Sequence, residues 1–226
     1  MKLIGVSLNY GEKKVFSDFS LEIPDKKVTC IMGASGCGKT SLLNIITGSV
    51  VYDGIVEKES DKISYVFQSP VLLNHLTVAQ NIDFVIKNQI KNKHEREKII
   101  EDVLKKVELC GEKDAYPSSL SGGMAQRVSL ARAFAYDSDV MLMDEPFKAL
   151  DISLKKKIIG LFSSLNEEYG RTTVLVTHDI DEAILLSDKI IVLGNNTVLY
   201  EVELPRDKNR SVTDFPEARE EIYKIL

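Results

Sequence analysis

The run Gly33-Ala34-Ser35-Gly36-Cys37-Gly38-Lys39-Thr40 satisfies the phosphate-loop pattern G-x-x-x-x-G-K-[ST] at each fixed place. Glycines let consecutive backbone N–H groups turn inward around phosphate oxygens, a concavity that a β-carbon would obstruct. On that chemistry Lys39 reaches the β- and γ-phosphates of a nucleoside triphosphate and the Thr40 hydroxyl binds Mg²⁺. The helix that continues through Ser41 points its positive end at the anion. A second reactive group is Asp144-Glu145, directly after the apolar run Val140 to Met143. Carboxylates at the carboxyl end of a buried strand sit where open α/β sheets bind ligands. Asp144 would hold Mg²⁺ directly or through its water shell, and Glu145 would orient or deprotonate the water that attacks the γ-phosphate. Third, in Leu120-Ser121-Gly122-Gly123-Met124 the Ser-Gly-Gly opens a helix running through Val128, Ala131 and Phe134, a second anion-binding helix start in one chain.

The elements that must carry these residues are legible in the apolar spacing. Val28 to Met32 reads as a buried strand and Leu42 to Ile46 as an apolar helix stopped by Gly48, so the glycine loop lies between strand and helix. The alternation from Val15 to Ile23 predicts a half-buried antiparallel strand. Val50 to Tyr52 and Ile63 to Phe67 are expected to form a strand pair around a turn at Asp53-Gly54 and a polar segment. From about Pro70 to Ser119 the spacing becomes helical, with Val78, Ile82, Val85 and Ile86 on one face and Ile100, Val103, Leu104 and Val107 on another. An α/β core resumes with the strand Val140–Met143, the helix through Leu154, Ile158, Leu161 and Leu165, and the strands Thr173–Val176 and Ile190–Leu193, which predicts a mainly parallel sheet. The C-terminal mixture of acids and bases reads as a solvated helix. With 226 residues and 44% hydrophobic content the chain can bury one substantial core. No run approaches the ~18 apolar residues of a membrane span, and the start lacks the apolar length of a signal peptide, so the chain is expected to stay in the cytosol. Three cysteines without a C-x-x-C pair fit reduced thiols, and the net charge of -5 argues against a broad nucleic-acid footprint.

Taken with the phosphate loop and Asp144-Glu145, the stretch Leu120-Ser121-Gly122-Gly123-Met124 closely resembles the signature of ATP-binding cassette (ABC) ATPases, usually L-S-G-G-Q. The resemblance covers nearly the whole chain. It implies a P-loop NTPase core with a mainly parallel sheet, an antiparallel β subdomain and an inserted helical subdomain, all in one cassette over residues 1–226 with the helical lobe at about 70–119. It also implies ATP and Mg²⁺ as ligands, and a head-to-tail dimer in which Ser121, Gly122 and Gly123 of one copy close over the ATP held by the other copy's phosphate loop. Gln68 matches the glutamine that contacts Mg²⁺ or water, His178 the switch histidine at the γ-phosphate, and Tyr10 the aromatic ring that stacks on adenine. Leu150-Asp151 matches the end of the D-loop that crosses the dimer interface. Met124 and Lys148 depart from the family pattern, which has glutamine at the first place and generally a small residue at the second. His75 and His94 match no role and read as surface residues.

Within that family, Asp144-Glu145-Pro146-Phe147-Lys148-Ala149-Leu150-Asp151 and Val176-Thr177-His178-Asp179-Ile180-Asp181-Glu182-Ala183 look most like importer subunits of the nitrate, sulfonate and taurine group. That resemblance implies transmembrane permease partners, an extracytoplasmic solute-binding protein in the full complex, and a place on the inner face of the membrane. Pro70-Val71-Leu72-Leu73, apolar in a loop, is expected to line a groove for a permease helix. The alternatives are an exporter ATPase and a soluble cassette acting on nucleic acid, ribosomes or cofactor assembly. Chromosome and ribosome members carry long coiled coils or two cassettes, which a compact 70–119 lobe does not provide. A binding module without turnover would lack Glu145 or His178, and both are present.

Overall fold

The computed structural model describes residues 1–58, 60–148, 150–207 and 210–226, and Ala149 of the D-loop run lies outside them. The chain divides into two compact units, Met1–Ile63 with Arg171–Leu226, and Ser64–Gly170.

The first unit holds two sheets. β1 (Lys2–Tyr10) and β2 (Lys13–Glu22) form an antiparallel hairpin with Leu3 opposite Leu21 and Tyr10 opposite Lys13. Leu3, Val6 and Leu8 on β1 and Phe16, Phe19 and Leu21 on β2 are buried, and the three-residue steps Leu3 to Val6 and Phe16 to Phe19, which break strict alternation, fall at register shifts in the ladder. The turn expected at Asp53-Gly54 is instead the start of a strand, β4 (Asp53–Glu57), which pairs antiparallel with β1 through Ile4 and Ile55. Gly54 makes this possible: its φ is 101°, and a Cβ there would lie 2.6 Å from the carbonyl oxygen of Gly5. Glycine therefore marks a close backbone approach inside a ladder. Val50 to Tyr52 form no strand.

In the second sheet β3 (Val28–Gly33) pairs in parallel with β7 (Thr172–Val176) on one side and β8 (Lys189–Leu193) on the other. β9 (Val198–Glu203), which the apolar spacing did not announce, closes this edge antiparallel to β8. Every residue of β3 and β7 is buried, which explains why these strands read as unbroken runs rather than as alternation. α1 (Lys39–Thr47) follows β3 and ends on Gly48 in the left-handed conformation. α6 (Ile180–Leu186) links β7 to β8. The C-terminal helix α7 (Pro216–Ile225) is solvated except for Ala218 and Ile222, and its Arg219 pairs with Asp181 of α6.

In the second unit β5 (Ile63–Val66) lies beside β6 (Val140–Asp144). Around them are α2 (Val78–Ile86), α3 (Lys93–Lys106), α4 (Gly122–Ala135) and α5 (Ile152–Tyr169). α2 begins on a capping box in which the Thr77 side chain accepts from Gln80 N–H while the Gln80 side chain accepts from Thr77 N–H. Val78, Ile82 and Ile86 of α2, Ile100, Val103 and Leu104 of α3, and Val128, Ala131 and Phe134 of α4 are buried. Phe134 of α4 and Phe147 both meet Phe162 of α5, with ring centroids 6.2 and 6.4 Å away.

Candidate functional site

The glycine loop closes the carboxyl end of β3. Gly33 has φ 146°, and a Cβ on it would meet the Leu193 carbonyl oxygen at 2.4 Å, so the strand can leave the sheet here only as glycine. Gly36 and Gly38 also have positive φ, 82° and 110°. Gly38 is the N-cap of α1, and a Cβ there would lie 2.8 Å from the Phe16 ring. The loop is packed so closely on β8 and β2 that these two places admit only glycine, and it leads into the first N–H groups of α1, the arrangement that fits the phosphates of ATP. The Lys39 ammonium bends back over the loop and donates to the carbonyl oxygens of Gly33 at 2.7 Å and Ala34 at 2.9 Å. Ala34, Ser35 and Thr40 are exposed, Ser41 is partly so, and Cys37 is buried.

Parallel pairing sets His178 at the same end of the sheet. Ile31 of β3 stands opposite Val176 of β7, so Gly33, the last residue of β3, and His178, just past the end of β7, each lie two residues beyond a matched pair at the carboxyl ends of neighbouring strands. His178 is exposed. The turn carrying it is held from beneath: the buried Thr177 hydroxyl donates to Glu182 at 2.5 Å and accepts from Asp179 N–H at 3.1 Å, while Asp179 caps α6. Tyr10, 47% exposed, ends β1 at the hairpin turn.

In the second unit the two acids end β6. The buried tail of β5 brings Tyr65 to Asp144. The phenol hydrogen-bonds the carboxylate, and burial first, then the adjacent charge, hold Tyr65 protonated far above its ordinary range. Glu145 adopts φ 45°, a left-handed conformation that costs a non-glycine residue of order 1–3 kcal/mol and is concentrated at functional turns. The turn is tied down on its far side by Gln126, a buried side chain of α4 whose amide donates to the Pro146 carbonyl at 2.6 Å. The Lys148 ammonium lies 2.6 Å from Glu145 Oε2. Gln68 is exposed just past β5.

Ser121 caps α4, accepting from Met124 N–H at 3.3 Å, with Ser121 and Gly122 exposed and Gly123 buried. Asp151, matched to the D-loop, works locally, where its carboxylate caps α5 by accepting from Ser153 and Leu154 N–H at 3.1 and 3.0 Å. Val71 is 54% exposed, but Leu72 and Leu73 are half-buried. Leu73 is pinned through both backbone groups by the buried Asn81 side chain, so Val71 is the exposed apolar residue of this loop. His75 and His94 are both exposed. Tyr65, Gln126 and the Lys148 ion pair were not found from the sequence as parts of the site. For Gln126 the only signal was a polar residue on the inner face of an apolar helix.

A strand, a glycine cradle and a helix, together with a second strand ending in two acids, define a P-loop nucleoside-triphosphatase. The family profile described as ABC transporter matches residues 16–148. The aliphatic sulfonates import ATP-binding protein SsuB 2 of Pseudomonas syringae pv. tomato is 38% identical over 201 residues, which cover 86% of this chain and 84% of that protein. The sulfate/thiosulfate import ATP-binding protein CysA of Gloeobacter violaceus is 39% identical over 204 residues, 85% of this chain but 59% of that relative's length. The dimeric structure of MJ0796, described as a bacterial ABC transporter cassette, superposes with a TM-score of 0.80 at 33% identity, covering 91% of this chain and 99% of that one. A second structure of that cassette, in a post-hydrolysis state, is bound to ADP and Pi. The chain belongs to the ABC transporter family and carries its ATP-binding, ATP-hydrolysing cassette. Among the described residues no helix is long and apolar enough to cross a membrane.

Proposed function

We propose that this chain is the subunit that hydrolyses ATP to drive solute import through a separate transmembrane permease, with a small oxyanion of the sulfonate, sulfate or nitrate kind as cargo. The observation that carries the nucleotide part is the cradle of Gly33 and Gly38, where added side chains would strike Leu193 and Phe16. The similarity to sulfonate and sulfate import proteins supports the transport part. Residues 1–226 act as one cassette, with about 70–119 as its helical lobe.

In this reading Gly33 to Ser41 bind the triphosphate through backbone N–H groups, and Lys39 exchanges its loop carbonyls for phosphate oxygens. Tyr10 stacks on the base. Thr40, Asp144 and Gln68 are the residues that would hold Mg²⁺, which would supply positive charge against the phosphate oxygens. Glu145 accepts a proton from water as the water oxygen bonds to the γ-phosphorus, ADP leaves with the electrons of the broken P–O bond, and His178 steadies the γ-phosphate oxygens. Ser121, Gly122 and Gly123 of a second copy close the site from outside, so the working unit is a homodimer. It sits on the permease at the cytoplasmic face of the membrane, with an extracytoplasmic solute-binding protein delivering cargo.

Glu145→Gln separates binding from chemistry, because the amide keeps the shape and loses the base. We expect calorimetry to show MgATP bound as in the native chain, and steady-state assays to show turnover reduced ~10²- to 10⁴-fold. Undiminished hydrolysis by Glu145→Gln would remove Glu145 from its assigned place.

A further inference from the structure

The turn after β6 contains an ion pair with no part in the hydrolytic steps. Lys148 and Glu145 are bound twice: the Lys148 N–H donates to the Glu145 carbonyl at 3.2 Å, and the Lys148 ammonium stands 2.6 Å from Glu145 Oε2. The residues between them cannot drift. The Pro146 carbonyl is held by the buried Gln126 amide at 2.6 Å, and the Phe147 ring is fully buried. With the left-handed Glu145 backbone, this rigid turn directs the two charged ends toward each other. The Glu145 side chain is 17% exposed and that of Lys148 45%, so the ammonium lies toward solvent from the carboxylate. A general base must offer an oxygen lone pair to the attacking water in the transition state. An ammonium already paired in charge with that carboxylate favours the ground state instead, and such differential binding slows the chemical step.

We propose that Lys148 is a positioning residue that acts as a brake: it holds the Glu145 carboxylate in an ion pair that must open before water can be activated. The proposal rests on the reading of Glu145 as the general base. It concerns the chemical step, so its mark is a change in kcat without a change in KM. A partly exposed pair is a modest restraint, so kcat of Lys148→Ala and Lys148→Gln should rise about two- to fivefold at unchanged KM for MgATP. Lys148→Arg keeps a cation within reach of the carboxylate and should stay near the native rate.

The experiment is steady-state ATP hydrolysis by the purified full chain and its three Lys148 variants, with thermal midpoints recorded beside the rates. A second set places Lys148→Gln in the Glu145→Gln background, where no carboxylate remains to be released and the residual rate should not rise. An unchanged or lower kcat in both Lys148→Ala and Lys148→Gln overturns the brake, as does a rise in which Lys148→Arg shares fully. Undiminished turnover by Glu145→Gln alone would instead overturn the reading of Glu145, whatever the Lys148 variants do.

Discussion

Tyr65 spends its one phenolic donor on Asp144, and the two residues come from adjacent strands whose pairing fixes the distance between them. The carboxylate is thereby held in one direction without another charge to weaken it, which suits its proposed place as a Mg²⁺ ligand. Hydrogen bonds to charged groups contribute about 1.5–3 kcal/mol, so losing this one should be measurable but not fatal. Tyr65→Phe keeps the ring and its stacking on Phe67, where the centroids are 4.2 Å apart. We expect it to raise the Mg²⁺ concentration for half-maximal hydrolysis about tenfold while leaving the binding of metal-free ATP as it was. A Mg²⁺ titration of the rate at fixed ATP tests this, and an unshifted curve would mean that Asp144 does not depend on the phenol.

At the scale of elements, two glycines of the antiparallel sheet show how differently the same residue type can be required. Gly11 and Gly54 both have positive φ, 59° and 101°, yet a Cβ on Gly11 would meet open space while one on Gly54 would press on the backbone of Gly5 and Val6. Backbone atoms inside a ladder cannot swing aside as a side chain can. Alanine at Gly11 should therefore cost only the left-handed conformation, about 1–2 kcal/mol. Gly54→Ala adds a clash that β1 and β4 can relieve only by separating. For a chain of this size each kcal/mol moves the melting temperature by ~2–4 °C. Melting followed by circular dichroism should put Gly54→Ala clearly below Gly11→Ala, and equal midpoints would show that the β1–β4 ladder yields freely.

For the molecule as a whole, two helix starts that can receive phosphate, at Gly38 and Ser121, ask for two copies of the chain. Ser121 is already an N-cap and remains exposed with Gly122, so an anion from another copy can approach without unfolding α4. ATP would supply much of such an interface, so the nucleotide-free and ADP-bound chain should be largely monomeric. Glu145→Gln with saturating MgATP should run as a dimer by light scattering. Adding Ser121→Arg should return it to monomer, because the guanidinium stem fills the space of the incoming γ-phosphate. A Glu145→Gln protein that stays monomeric at high protein concentration would show that assembly needs a permease or a different cassette.

Much of the chemistry was legible in the sequence because it is local. Gly33 to Thr40 are consecutive, and the N–H cradle they make depends on the glycines and on the strand and helix that touch them directly. The unbroken runs of β3, β6 and β7 likewise announced strands covered on both faces, and Gly48 announced the end of α1. The tertiary structure decided what depends on two distant segments meeting. Asp53-Gly54 has the residues of a turn, and only the approach of Gly5 turns it into a strand. Tyr65 could be assigned to a strand, but which acid its hydroxyl would face is set by the pairing of β5 with β6, and Gln126 finds Pro146 only through the packing of α4. Lys148 was visible as a departure from pattern, yet its meeting with Glu145 follows from a left-handed backbone that no side-chain sequence displays. Apolar periodicity tells a residue which way to face, whereas the neighbour it meets there is chosen by the packing of segments far apart in the chain.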